Sequence, residues 1–333
     1  MLPKRPARTS PRPPDRTIPT FDRCIKEEEN EMSKVYVFTQ FGGPENQELI
    51  DRPAPEPAAG ELAVQVRAAG INPVDWKVRA GWLGEELSLP YPMGQEVAGV
   101  ITAVGEGVAD FAVGDSVLGP VVPGAGGLAE HTLIASKDAV AKPEEVSFTD
   151  AATIPVAAST AYDLTHQVEL EPGQSVLILG AGGGVGLMAA QISKVHQFRV
   201  IGVASEAKRE LVESTGAAFI ASGEGFADRV RDLAPEGVDL VIDLVGGDVL
   251  RQAAALATEP SRVISAADPS VTELGGQIRE PNPEAMEKIT GVISYGLVDP
   301  HVTARYLLEQ AGEAIATVET GHAAGKVVVE MPQ

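Results

Sequence analysis

After residue 31 the chain first shows short apolar runs separated by glycine and proline. The runs of strand type are, in order, KVYVF, ELAVQVRAAGI, EVAGVITAVG, DSVLG and EHTLIA. Leu62, Val64 and Val66 alternate with Ala63, Gln65 and Arg67, which is typical of a strand with one buried face, whereas VAGVITAV is uniformly apolar and indicates an interior strand. The region from Val35 to about Lys142 is therefore predicted to be an all-β module.

Beyond residue 157 the pattern changes to strands that alternate with helices. Strands are predicted at SVLIL, RVIGVA, AFIA, VDLVIDLV and RVISAA, with helices over 185–195 and 206–214. Such alternation indicates βαβ units, a parallel sheet and right-handed crossovers. A long helix from His301 to Thr320 and a last strand, KVVVEM, are predicted to complete the chain.

Composition agrees with a globular α/β protein. The 333 residues are 44% hydrophobic and 22% charged, enough for two domains with cores of their own. Residues 1–31 are instead rich in proline and arginine and then acidic, and are expected to be an unstructured extension, unless translation begins at Met32.

The net charge of -21 disfavours nucleic acid and anionic lipid as partners, because phosphates are repelled over roughly 8–10 Å. The single cysteine, Cys24, excludes an intrachain disulfide and cysteine-based metal sites. No apolar run approaches the ~18 residues that span a bilayer, so membrane insertion is not expected and a cytoplasmic location is the default.

The strongest chemical signal is SVLILGAGGGVGLMAAQISK, in which a strand runs into a glycine-rich turn and then an alanine-rich helix. Glycines let the backbone approach a pyrophosphate, and the N–H groups of the helix N-terminus attract its charge. This context indicates a Rossmann-type dinucleotide site, although Val185 breaks a strict G-x-G-x-x-G spacing and a purely structural turn is the alternative. The predicted cofactor-binding residues here are Gly180, Ala181, Gly182, Gly183, Gly184, Val185 and Gly186.

The residues after the second strand of this unit favour NADP(H) over NAD(H). NAD-binding units carry an acidic residue about 20 positions after the glycines, to bind the ribose 2′-OH. Here RVIGVA is followed by Ser205, with Lys208 and Arg209 close behind, groups suited to a 2′-phosphate. The alternative is an ordinary solvated helix face, and Glu206 weakens the positive field.

Ligands bind at the carboxyl edge of such a sheet, where VIDLVGGD and ISAAD end. Residues at these two ends are predicted neighbours of the ribose and nicotinamide: Val245, Gly246, Ser265, Ala266 and Ala267. Generic loop residues are the alternative.

Taken together, INPVDWKVRAG, GQEVAGVITAVGEGV, FAVGDSVLG and LGAGGGVGLMAAQISK resemble the zinc-free quinone oxidoreductases of the medium-chain dehydrogenase/reductase superfamily. The resemblance covers about residues 33–331. It implies a GroES-like catalytic domain (32–157 and 297–333), a Rossmann NADP-binding domain (158–296), an active site between them, and a homodimer.

The resemblance also suggests roles for individual residues. Asn72, Asp75 and Trp76 would line the nicotinamide end of the cleft, and Thr160 and Lys326 would lie at the cofactor. Where zinc-dependent members have a cysteine ligand and Gly-His-Glu, this chain has Asn72 to Asp75 and Gly94-Gln95-Glu96, so no metal is expected.

Two cations and the histidines receive a simpler interpretation. Lys77 and Arg79 are expected to be surface cations. The five histidines lack metal-ligand spacing and are expected to be structural or surface residues: His131, His166, His196, His301 and His322.

The predicted function is NADPH-dependent hydride transfer to a quinone or to an α,β-unsaturated carbonyl, which needs a binding cleft and a proton source but no Lewis acid. Two alternatives stay open: a cofactor-binding protein of low turnover, and a zinc-type alcohol dehydrogenase.

Overall fold

The computed structural model describes residues 31–82, 84, 86–321 and 323–332. The predicted unstructured extension, residues 1–31, therefore lies outside the described residues except for Glu31. Cys24 also lies outside them. The described strands are β1 (Met32–Phe38), β2 (Gln47–Pro53), β3 (Glu61–Ile71), β4 (Tyr91–Pro92), β5 (Glu96–Val104), β6 (Ser116–Pro120), β7 (His131–Ala135), β8 (Val140–Ala141), β9 (Ser175–Leu179), β10 (Arg199–Ala204), β11 (Ala218–Ala221), β12 (Leu240–Asp243), β13 (Val263–Ser265), β14 (Gln277–Ile278), β15 (Val302–Leu307) and β16 (Lys326–Glu330). The described helices are α1 (Pro73–Arg79), α2 (Phe148–Ala151), α3 (Ser159–His166), α4 (Gly184–Val195), α5 (Arg209–Ser214), α6 (Phe226–Leu233), α7 (Gly247–Ala254), α8 (Ala285–Ser294) and α9 (Ala311–Glu319).

The β-rich part contains two sheets. A small sheet has the order β2-β1-β4, and a larger one has the order β15-β16-β3-β5-β6-β8, with β7 also paired to β3. Leu62, Val64 and Val66 of β3 are buried, and β5 pairs with strands on both sides, so both strand predictions are confirmed. The strand β16 joins the last residues of the chain to β3 by antiparallel pairing.

The other sheet has the order β11-β10-β9-β12-β13-β14, and all its strands are parallel. Numbered within the sheet this is 3-2-1-4-5-6, the doubly wound arrangement whose strand order reverses beside its first strand. That switch point lies at the carboxyl end of β9, where the glycine-rich turn begins at Gly180. The topology therefore places the turn where doubly wound sheets bind their ligands.

The predicted helix from His301 to Thr320 is wrong. The segment forms β15, a 3-10 turn (Leu308–Gln310) and only then α9. In β15, Val302, Ala304 and Tyr306 are partly buried while the residues between them are exposed, a period of two that pairing with β16 stabilises. His301 also has a positive φ of 52°, which a helix does not allow.

Close packing of α4 against β9 depends on Gly186. A Cβ atom there would lie 2.4 Å from the carbonyl oxygen of Gly180 and 2.7 Å from Cα of Ala181. Both atoms belong to the backbone, so neither can turn aside. By contrast, a Cβ at Gly291 in α8 would meet no atom within 4 Å.

These two glycines give a matched pair of substitutions. Gly186→Ala should lower the free energy of unfolding by about 1–3 kcal/mol, because the turn must shift to admit a methyl group. Gly291→Ala should raise it by about 0.5–1 kcal/mol through better helix propensity. Urea unfolding of both variants checks the prediction, and equal midpoints for the two would contradict it.

Candidate functional site

The glycine-rich turn after β9 is shaped to accept an anion. Gly180 has a φ of +80°, and Gly183 caps α4 without any side-chain hydrogen bond to the first turn of the helix. The N-terminal amides of α4 therefore have no side-chain cap, which is the arrangement that binds phosphate groups. A Cβ at Gly182 would collide with the side chain of Lys208, and one at Gly184 with that of Lys326.

The turn is joined directly to the end of the chain. The amide of Gly325 donates to the carbonyl oxygen of Gly182 at 3.1 Å, and Gly183 and Gly325 form a parallel bridge. Strand β16 then begins with Lys326, whose aliphatic carbons cover Gly184. The predicted cofactor residue Lys326 thus lies against the predicted pyrophosphate turn.

The ammonium group of Lys326 is buried and fully hydrogen-bonded. It donates to the carbonyl oxygen of Ile71 at 2.9 Å, to Oδ1 of Asn72 at 2.8 Å and to Oε1 of Glu96 at 2.9 Å. Asn72 Nδ2 donates to the same Glu96 oxygen at 2.6 Å, and the amide of Val156 donates to the other at 2.7 Å. We call Asn72, Asp75, Glu96 and Lys326 the buried polar cluster.

Glu96 was not among the residues predicted for the site, although its side chain is fully buried at the start of β5. A carboxylate beginning an otherwise apolar strand was the available signal, since a buried charge requires a partner. That partner, Lys326, is 230 positions away, so sequence spacing could not identify it.

Asp75 lies next to this ion pair at the start of α1. Its Oδ2 accepts a hydrogen bond from the amide of Asn72 at 2.8 Å, while Oδ1 has no partner within the described part of the chain. Burial raises the pKa of Asp75 to about 7, a shift that the charge of Glu96 assists and that the amide of Asn72 and the ammonium of Lys326 oppose. The carboxyl group is therefore half protonated near neutral pH.

The remaining predicted residue of α1, Trp76, lies one turn beyond Asn72. Its ring packs edge-on against that of Trp82, with 5.5 Å between ring centres. The expectation of a surface cation is wrong for Arg79. Lys77 is half-buried beside the two indoles, and Arg79 is buried, donating to Glu319 at 2.7 Å and to the carbonyl oxygen of Gly42 at 3.0 Å.

Thr160 lies buried in α3, where its hydroxyl accepts a hydrogen bond from Nη1 of Arg279 at 2.8 Å. Arg279 also pairs with Asp163 at 2.9 Å, and its amide donates to the carbonyl oxygen of Ser265. Burial raises the pKa of Asp163, while Arg279 and the amide of Asn282 oppose that rise. Arg279, which the sequence did not single out, thus connects Thr160 with the end of β13.

The carboxyl ends of β12 and β13 are held together by Asp243. This buried carboxylate accepts from Ser265 Oγ at 2.6 Å and from the amides of Val245 and Gly246. Gly246 has a φ of +79°, which favours glycine. Ala266 and Ala267 follow Ser265, and the Ala267 amide donates to the Ser265 hydroxyl at 3.1 Å. The predicted nicotinamide neighbours therefore form one edge of the sheet.

The three residues predicted to select NADP(H) lie together but are engaged differently. Ser205 is exposed directly after β10. Lys208 covers Gly182 and donates to the carbonyl oxygen of Ala323 at 2.5 Å, and burial lowers its pKa. Arg209 pairs with Glu206 and Glu213, and its guanidinium lies 4.2 Å from the ring centre of Phe219.

Two histidines are close together despite their separation in sequence. Nε2 of His166 and Nε2 of His196 are 3.1 Å apart, and burial lowers the pKa of His166. Within the described ranges, no three His, Cys, Asp or Glu residues are grouped so that they could hold a metal ion, and His322 lies outside those ranges. Among the helices described, none has both the length and the apolar character needed to cross a membrane.

Comparisons with known proteins agree on the fold. Residues 58–144 match the family described as alcohol dehydrogenase GroES-like domain, and residues 184–273 match the family described as zinc-binding dehydrogenase. The chain is 32% identical to quinone oxidoreductase of Rattus norvegicus, over 89% of this chain and 96% of the relative. It is also 32% identical to 2-methylene-furan-3-one reductase of Solanum lycopersicum, over 89% and 78%.

A solved structure of quinone oxidoreductase from Coxiella burnetii superimposes with a TM-score of 0.80 at 28% identity, covering 91% of this chain and 100% of that one. The predicted combination of a GroES-like module with a Rossmann sheet is confirmed. The roles predicted for individual site residues stay predictions.

The pKa of Asp75 gives a pH-dependent prediction. An unfolded aspartate loses its proton near pH 4, whereas folded Asp75 retains it until about pH 7. The free energy of unfolding therefore decreases as the pH rises between these two values. Asp75→Asn should therefore gain stability relative to the wild type, by at most about 1.4 kcal/mol per pH unit in that interval. Urea unfolding at pH 5 to 8 measures the difference.

Asp232→Asn, at an exposed position of α6, removes the same formal charge and serves as the control. A difference between wild type and Asp75→Asn that is constant across this pH range would show that Asp75 is not the titrating group.

The ion pair inside the cluster gives a second prediction. Lys326→Met should lower the free energy of unfolding by about 3–5 kcal/mol, because Glu96 is left as a buried charge without its cation. Adding Glu96→Gln should recover part of the loss. A double-mutant cycle in urea measures the coupling, and strictly additive effects would disprove it.

Proposed function

The chain belongs to the medium-chain dehydrogenase/reductase superfamily, among its quinone oxidoreductase-like members, and on this premise we propose that it is an NADPH-dependent reductase of quinones or activated alkenes that works without zinc. The observation that carries the proposal is the contact of the glycine-rich turn with Lys326. That contact brings a dinucleotide-type turn against the cluster that contains Asn72 and Asp75.

The residues present fit a dinucleotide. The space that a Cβ would take at Gly182 and Gly184 is filled by the side chains of Lys208 and Lys326, so two cations lie against the turn where a pyrophosphate would bind. The amides of α4 would bind its charge in a protein that is otherwise strongly acidic. Ser265 and Thr160 would lie at the nicotinamide end, fixed by Asp243 and Arg279 respectively.

The preference for NADP(H) rests on the end of β10. Ser205, rather than a carboxylate, follows the strand, and the guanidinium of Arg209 lies nearby on the ring of Phe219. A 2′-phosphate would compete with Glu206 and Glu213 for this guanidinium, and it offers a stronger acceptor because it carries more charge.

Zinc independence is supported by the side chains that stand where a zinc ion would need ligands. The amide oxygen of Asn72 already accepts a hydrogen bond from the ammonium group of Lys326 at 2.8 Å. A divalent cation bound there would have to displace the ammonium group of Lys326, whose positive charge repels it. It would also find the amide side chains of Asn72 and Gln95 in place of the thiolate and imidazole that bind zinc strongly.

When bound, the reduced nicotinamide supplies a hydride to the substrate. The chain's contribution is to orient the two reactants and to exclude water from between them. Asn72 is held by Lys326 and Glu96, so its side chain is fixed before substrate enters. Water or a nearby side chain gives the proton. We further propose a homodimer, as the resemblance implies, and a cytoplasmic location, the default for this composition.

Purified protein should oxidise NADPH when a panel of quinones and enones is supplied, and should prefer it to NADH. Dialysis against a chelator should leave the rate unchanged. The absence of turnover across the panel would refute an enzymatic function. Tight binding of NADPH without turnover would then favour a binding protein, and stoichiometric zinc needed for activity would favour an alcohol dehydrogenase.

Arg209→Ala tests the cofactor preference. It should raise KM for NADPH about tenfold or more, since a charge-assisted hydrogen bond contributes about 1.5–3 kcal/mol, and leave KM for NADH nearly unchanged. Arg231→Ala on the exposed face of α6 makes the same charge change far from the turn. Equal effects of Arg209→Ala on both cofactors would rule out a 2′-phosphate contact.

A further inference from the structure

Both tryptophans of the chain lie at one place, at the end of α1. The ring centres of Trp76 and Trp82 are 5.5 Å apart at an interplanar angle of 74°, an edge-to-face pair. Trp76 is half-buried, but Trp82 is 64% exposed, the most exposed aromatic side chain among those described after Tyr295. Much of one indole is therefore left in water beside the candidate site.

A lysine accompanies the two rings. Nζ of Lys77 lies 4.9 Å from the ring centre of Trp82 and 5.9 Å from that of Trp76. Lys77 forms no ion pair with any of the described residues, although the chain carries a net charge of -21. A half-buried cation held by aromatic rings instead of a carboxylate keeps its charge available to a ligand.

The position of this group relates it to the proposed active site. Trp76 follows Asn72 by four residues, so both lie on the same side of α1, about 6 Å apart along the helix axis. Asn72 bonds to Lys326, which covers the turn at Gly184. We call Trp76, Lys77 and Trp82 the tryptophan–lysine rim. The rim is connected to the glycine-rich turn through Asn72 and Lys326.

We propose that the tryptophan–lysine rim binds the acceptor, and that it selects planar aromatic acceptors, quinones above all, that carry an anionic substituent. The inference rests on the proposed function and adds a substrate class to it. An aromatic ring stacked on Trp82 would remove the exposed indole from water, in the offset arrangement that aromatic rings prefer. The ammonium of Lys77 would pair with a sulfonate, carboxylate or phenolate on that ring.

Steady-state kinetics with matched acceptors test the charge preference. The probes are 1,4-naphthoquinone and its 2-sulfonate, each with NADPH. Lys77→Met should raise KM about tenfold for the sulfonate and less than about twofold for the neutral quinone, a difference of about 1 kcal/mol. Lys137→Met removes the same charge from the 3-10 turn Ser136–Asp138 and should change neither value. Equal effects of the two lysine substitutions would overturn the proposal.

Stacking is tested at Trp82. Trp82→Ala should raise KM for both naphthoquinones about fivefold or more but leave KM for 3-buten-2-one, a small enone without an aromatic ring, unchanged. Trp82→Phe should retain most of the affinity because it keeps an aromatic face. An equal rise for all three acceptors would mean that Trp82 supports the cleft without contacting the ring, and would overturn the proposal.

Binding without turnover separates this inference from the proposed function. Because both tryptophans belong to the rim, all tryptophan fluorescence of the chain originates there. The redox-inert 2-naphthalenesulfonate should quench it saturably, and Lys77→Met should weaken the affinity about tenfold. If the wild type shows this binding but no turnover, the proposed function fails and the rim stands. Turnover with no such quenching refutes the rim alone.

Discussion

The ammonium group of Lys326 is the contact on which the geometry of the site depends. It is buried, and its three hydrogen bonds go to the end of β3, to the cap of α1 and to the start of β5. Its carbon chain at the same time covers the glycine-rich turn after β9. A flexible loop could not hold these four segments in one arrangement, whereas a desolvated charge can, because any displacement would leave Glu96 or the ammonium itself without a partner.

The same requirement explains how an acidic protein can accept an acidic ligand. With a net charge of -21, the chain cannot rely on a general positive field. It provides instead the N-terminal amides of α4 and a few cations whose positions are fixed by local contacts: Lys208 by the carbonyl oxygen of Ala323, and Arg209 by Phe219 and its glutamates. Local dipoles and single charges act at short range, so the distant carboxylates oppose them only weakly once salt screens the field.

Two kinds of rigid support surround the proposed reaction site. At the sheet edge, Asp243 and Arg279 fix Ser265 and Thr160 through hydrogen bonds. On the opposite side, α1 is anchored by buried Arg79, which reaches Glu319 of α9 and the loop at Gly42. Trp82, the exposed residue of the tryptophan–lysine rim, lies outside this rigid frame, so its side chain can adapt to an acceptor while Asn72 and Asp75 stay in place.

The sequence by itself determined the local features. The alternation in β3, the strand, turn and helix around Gly180, and the change from a β-rich to an α/β pattern all follow from side-chain period and from glycine's backbone freedom, which act over a few residues. The helix wrongly predicted where β15 lies also shows that such patterns act over a few residues only. A period of two was present in VTARYL, but it becomes decisive only because β16 is available as a pairing partner.

Tertiary structure decided which of these local elements meet. Glu96 and Lys326, Thr160 and Arg279, and His166 and His196 are separated by 230, 119 and 30 positions, and nothing in their spacing indicates the contact. The burial of Arg79 could not be predicted either, because a cation in a helix is expected to be solvated until its neighbours are known. Pattern and turn chemistry are short-range, whereas partners for buried charges are chosen by the packing of whole sheets, and only the folded chain contains that information.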